Sequence, residues 1–153
     1  MPITFKFLTV KSVSRLWWSA PRALTLRPPF RSFLGLVFGL ILFGLGEALL
    51  VAAGIGVSPW TVLAEGIAKT ADLSLGITTF LISLSVLILW IPLRQTPGLG
   101  TLLNALIIAF MLDFSLPYLP RPEDLLLQIF LAFLGVFTTG LGGAIYLLSL
   151  IHI

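Results

Sequence analysis

The run from Phe33 to Ala53 constrains this chain more than any other feature, because its 21 positions hold a single charged residue, Glu47. As a helix it reaches about 31 Å, close to the hydrocarbon thickness of a bilayer. Its thirteen Leu, Ile, Val and Phe residues contribute about −4 to −8 kcal/mol of transfer free energy, against at most about +3.5 kcal/mol for one central carboxylate. The segment therefore inserts with the glutamate in place. Further apolar runs occupy residues 75–93, 101–116 and 125–148. Charged residues are only 10% of the 153 and mean hydropathy is +1.12, whereas a soluble domain carries roughly a quarter charged residues. The expected fold is all-α, a polytopic transmembrane helical bundle with four spanning helices.

The first run stops at Ala53-Gly54-Ile55-Gly56-Val57-Ser58-Pro59-Trp60. Gly54 and Gly56 let the backbone turn, while Ser58 followed by Pro59 reads as an N-cap with proline at the first helical position. A helix over 59–69 follows, too short to cross a bilayer and expected to lie at the interface or to re-enter it. Trp60, Leu63 and Ile67 share one of its faces, and Glu65 and Lys69 stand four apart. Pro97, Gly98 and Gly100 mark a tight turn between the second and third spans. No lysine follows them in the phosphate-loop pattern, so a phosphate cradle is set aside. Pro117 to Asp124 forms a stiff polar loop, with Asp124 placed to cap the fourth span.

Six of the nine cations precede residue 32, in a segment without acidic residues. Residues 1–32 are therefore expected to be a basic cytoplasmic tail that sets orientation, and no nucleic-acid partner is inferred from the net charge of +3. With the N-terminus inside, inner segments hold seven Lys and Arg and outer ones two, Lys69 and Arg121, as the positive-inside rule requires. The expected location is a membrane, with the N-terminus in the cytoplasm. Cysteine is absent and the lone histidine is His152, so no disulfide, thiol chemistry, metal site or cofactor is expected. No set of nucleophile, base and orienting group is present either, and an enzyme is not expected. The partners inferred are the lipid bilayer and a second copy or another membrane protein.

Small residues recur at helical spacing: Gly35 with Gly39, and Gly44 with Ala48 and Ala52. Such stripes let helices approach closely. A shift of 96 residues superposes Gly39 on Gly135, Gly44-Leu45-Gly46 on Gly140-Leu141-Gly142, and Ala48 on Ala144. Gly140 and Ala144 therefore join the expected packing positions. Three spans separate the copies in phase, so the pattern describes an inverted repeat of the kind found in secondary transporters.

The blocks Ala53 to Leu63, Leu73-Ser74-Leu75-Gly76 and above all Trp90-Ile91-Pro92-Leu93-Arg94-Gln95-Thr96-Pro97-Gly98-Leu99-Gly100-Thr101-Leu102-Leu103-Asn104 resemble the YczE-type family of bacterial inner-membrane proteins, related in name to the YitT group. The likeness covers about residues 30–147 and implies a location in the bacterial inner membrane. It implies a second glycine-rich turn, a Gly-Pro-Arg-Asp-Gly motif and further spans downstream. Residues 149–153 are expected to be an artefactual end, since Leu148 to Ile153 resembles translated adapter sequence and the chain looks truncated.

Within the spans, Glu47, Asn104 and Asp113 are the chemically distinctive side chains. Intramembrane carboxylates mark proton and cation pathways, and Glu47 and Asp113 are expected in the outward half, facing one cavity. Asp113 also reads as an interfacial residue ahead of Pro117, and Asn104 as an interhelical hydrogen-bonding group. Ser58 either caps its own helix or, with the following backbone N–H groups, holds an anion. These four residues are the candidate substrate or ion site. The leading functional expectation is a small transporter or permease-like module. Its alternative is an accessory protein that supports another membrane or secretion component through its small-residue faces.

Overall fold

A computed structural model describes residues 28–94 and 97–149, together with Trp17 and Ser19. Most of the expected basic tail, Gln95 and Thr96 of the second loop, and residues 150–153 lie outside the described residues. Regular structure among the described residues is helical: α1 (Phe30–Ala53), α2 (Pro59–Ala71), α3 (Leu75–Trp90), α4 (Leu99–Ser115) with a 3-10 turn over Leu116–Tyr118, and α5 (Leu125–Leu148). Three helical segments, Phe30–Ala53, Leu99–Tyr118 and Leu125–Leu148, are long and apolar enough to cross a membrane. The α2–α3 pair makes a fourth candidate, broken by a bend of 114°.

Each break has a local cause. Gly54 ends α1 in the left-handed region at φ 72°, which an L side chain enters at a cost. Gly56 does not use that freedom. Ser58 caps α2, its Oγ accepting from the Thr61 N–H at 3.3 Å, with Pro59 in the first turn. Ser74 caps α3 in the same way through the Ile77 N–H, and Asp124 caps α5 through the Leu127 N–H. Gly100 is not part of the loop turn expected from the sequence. The Thr101 and Leu102 N–H groups both bond to the Gly98 carbonyl, so α4 has begun by Leu99 and Gly100 sits buried in its first turn.

The helices stand in the order α5, α1, α4, α3, α2, each packed on its neighbour. Leu36 and Leu40 of α1 meet Leu99, Leu103 and Ile107 of α4, and Gly44 meets Ile108 and Met111, so α1 and α4 run parallel. α5 runs antiparallel to α1: Gly39 lies against Gly142 and Tyr146, and Gly46 against Gly135 and Thr139. A Cβ at Gly39 would stand 2.5 Å from the Tyr146 nitrogen, and one at Gly142 would collide with the Phe43 nitrogen. Phe43 and Tyr146 fill the space beside this seam edge to face.

The seam revises the expected packing stripes. Glycines seven residues apart on each helix, Gly39 with Gly46 and Gly135 with Gly142, form it. Gly140 and Ala144, expected to pack, are exposed, and a Cβ at Gly140 would meet nothing within 4 Å. The reason is angular: two residues turn a helix by about 200°, so Gly140 and Gly142 cannot face the same neighbour. Gly44 and Gly46 diverge likewise, one to α4 and the other to α5. Gly39, Gly44, Ala48 and Ala52 are buried, and Gly35 is half-buried. On α2, Thr61 and Ala64 face inward, while Trp60, Leu63 and Ile67 remain exposed.

Candidate functional site

Glu47 lies less than two turns before the end of α1, and the Gly54 turn carries α2 back over it. Its side chain is only 7% exposed. Thr61 Oγ1 donates to Glu47 Oε2 at 2.9 Å and Ser58 Oγ donates to the same oxygen at 3.3 Å. The two hydroxyls are 2.9 Å apart. The first turn of α2 thus presents two O–H donors, and the positive end of its dipole, to a carboxyl on α1. Both donors use Oε2, which leaves Oε1 as the oxygen for a ligand.

The protons of this triad can be arranged in two ways. With Glu47 ionised, both hydroxyl protons point to it. With Glu47 protonated, its O–H can donate to Thr61 Oγ1, and Thr61 can turn its own proton onto Ser58 Oγ. Both charge states are therefore hydrogen-bonded without moving a helix, which a buried carboxyl requires if it is to change state.

Glu47 opens onto a cavity of about 350 Å³ in the gap between α1 and α3, floored by α4 and closed at one end by α2. The size is within the range of small-molecule sites. Phe43, Trp60 and Trp90 supply aromatic walls, and Val86, Leu87, Ile108 and Leu112 aliphatic ones. Glu47 is the one ionisable side chain of that lining. Asn104 and Ser58 also belong to it, so three of the four expected site residues meet here. Thr79 adds a hydroxyl that is buried without a hydrogen-bond partner among the described residues. Ser83 Oγ, on the same wall, donates to the Thr79 carbonyl at 2.8 Å.

Asp113 is elsewhere, contrary to the expectation of one shared cavity. It accepts from Ser74 Oγ at 2.6 Å and from the Gly76 N–H at 2.8 Å, fastening the N-terminus of α3 to α4. Gly76 permits this approach, since a Cβ there would strike the Ala109 carbonyl and the Asp113 carboxyl. Angular position on α4 explains the separation: Ile108 and Leu112 line the cavity, whereas Asp113, about 100° further round the helix, faces the start of α3.

Thr61, Thr79, Trp60 and Trp90 were not legible as site residues. Ser58-x-x-Thr61 is a recognisable capping spacing, but nothing in it names a glutamate eleven positions upstream. Thr79 carries no sequence signal at all.

Residues 30–152 match a family of unknown function, DUF6198. An uncharacterized protein of Haemophilus influenzae is 36% identical over 138 residues, covering 90% of this chain and 62% of the relative. The chain thus spans less than two thirds of that relative's length. No solved structure matches.

Proposed function

The chain belongs to the family of unknown function DUF6198, and from that footing we propose that it is a polytopic inner-membrane transporter or permease-like module whose working group is Glu47. The observation that carries this is the cavity: a single buried carboxyl, held by two reversible hydroxyl donors, faces a small-molecule-sized space between helices. Such a group can exchange a proton for a positively charged cargo. The reading places the N-terminus in the cytoplasm, with the Gly54 turn outside.

An inverted repeat belongs to the same proposal. A shift of 96 residues turns Gly39 into Gly135 and Gly46 into Gly142. The contact Gly39 to Gly142 then becomes Gly135 to Gly46, which is the other contact of the seam. A two-fold axis in the membrane plane between α1 and α5 would exchange them in this way, and this supports the repeat. Kinship with the YczE-type family is also part of the proposal, resting on the block from Trp90 to Asn104.

A second reading, an accessory subunit, is favoured by one observation. α5 leaves Phe133, Val136, Phe137, Gly140 and Ala144 exposed, a small-residue and aromatic face suited to lipid, a second copy or another membrane helix. Proteoliposomes holding an internal pH dye separate the two. Under the transport reading, a positively charged cargo added outside drives proton flux above that of empty liposomes, and Glu47→Gln abolishes it. Cargo-driven flux that survives Glu47→Gln sinks that reading.

A further inference from the structure

We propose that the Glu47 cavity binds a small lipophilic organic cation, one ammonium group on an apolar body, with the ammonium on Glu47 Oε1 and the body running from Trp60 past Phe43 toward Trp90. This deepens the transport reading and rests on its assignment of Glu47 as the ligand-facing carboxyl.

The lining selects the class by elimination. An anion meets a carboxyl and no Lys or Arg among the cavity residues, so its desolvation is uncompensated. A bare metal ion needs several oxygen ligands in one shell. The wall is mainly apolar, and the described residues hold no group of three acidic, His or Cys side chains able to bind a metal. A sugar or other polyol needs many hydrogen-bonding partners, yet Ser58 and Thr61 are committed to Glu47 and Ser83 to the Thr79 carbonyl, which leaves Asn104 and Thr79 as too few for it. An ammonium has three donors and needs few acceptors. Glu47 Oε1 supplies one, and Thr79, whose unpartnered Oγ1 is covered in this structure and reaches the cavity by turning about χ1, supplies another. Aromatic faces attract the same charge, most strongly when water is excluded. The apolar remainder of the ligand then fills the space lined by Val86, Leu87 and Ile108.

The test uses the full chain in lipid nanodiscs, with Trp17 and Trp18 replaced by Phe so that fluorescence reports Trp60 and Trp90. Three probes of matched shape and different charge are titrated: para-bromophenethylamine, para-bromophenethyl alcohol and para-bromophenylacetate, whose bromine quenches indole on contact. The amine is expected to quench saturably, with the alcohol and the carboxylate at least about tenfold weaker, as losing one buried charge pair implies. Glu47→Gln should remove the preference for the amine, and Thr79→Val should weaken the amine while leaving the alcohol unchanged. Equal quenching by amine and alcohol in the protein that keeps Glu47 and Thr79 overturns the proposal, and this comparison needs no substitution in the cavity lining. Binding is scored without transport, so the two readings fail separately. Saturable amine binding with no flux counts against transport alone, whereas proton flux driven by another cargo, with no amine binding, counts against this cation alone.

Discussion

At the scale of single residues, Glu47 and Thr61 form the most informative pair. Thr61→Val removes the 2.9 Å donor and leaves a buried carboxyl with the longer Ser58 contact. A loss of about 1–3 kcal/mol is expected, read as a lower thermal unfolding temperature in nanodiscs, with Thr61→Ser restoring most of it. Glu47→Gln should be milder in stability, because the amide carbonyl still accepts from Thr61. A second pair isolates backbone conformation. Gly54 and Gly56 both face open space, but only Gly54 has a positive φ. Gly54→Ala should cost about 1–2 kcal/mol by strain alone, and Gly56→Ala should fall within about 0.5 kcal/mol of the parent. Equal costs for the two would show that the left-handed cap is unimportant.

Among the elements, the α1–α5 seam supplies the sharpest contrast. Gly142→Val forces a Cβ into the Phe43 backbone, whereas Gly140→Val projects away from the described helices. The first is expected to destabilise the chain by at least about 1–3 kcal/mol and the second hardly at all. Gly140→Val should instead disrupt a co-purifying partner if α5 docks one. This contrast also shows what was legible. Helix ends were readable in part: Ser58-Pro59, Gly54 and Asp124 are local signals, and α5 has the bounds 125–148, whereas α1 begins at Phe30, α2 runs to Ala71, α3 ends at Trp90 and α4 begins at Leu99. Facing was not. α1 and α3 are apolar nearly all round, so hydrophobicity does not say which side meets protein and which meets lipid. Spacing suggested Gly44 and Gly140: Gly44 packs closely, but on α4, while the α1–α5 contacts use Gly46 and Gly142 and Gly140 meets nothing. The partners of Asp113 were hidden for a related reason: Ser74 and Gly76 lie 39 and 37 residues away, and only the antiparallel packing of α3 on α4 joins them. Asp113→Asn keeps the acceptor but loses the charge beside the α3 N-terminus, and a loss of about 0.5–2 kcal/mol is expected in the same unfolding measurement.

The whole molecule brings the end of α1, all of α2, and the starts of α3 and α5 to one side, and Trp90, Leu99 and Tyr146 to the other. The cavity runs between these sides, from Trp60 toward Trp90 and Thr101. Absence of cysteine makes topology directly measurable by single-cysteine labelling. Ile55→Cys and Leu93→Cys, both at exposed positions, should react with a membrane-impermeant maleimide from opposite faces, Ile55→Cys from outside. Labelling of both from one face would remove the assigned crossing. The central claim, that one buried carboxyl alternates between a proton and an organic cation, is tested most directly by infrared difference spectroscopy of the reconstituted protein as para-bromophenethylamine is added. The expected result is a change in the protonated-carboxyl band that disappears in Glu47→Gln. An identical spectrum in the parent and in Glu47→Gln would contradict it.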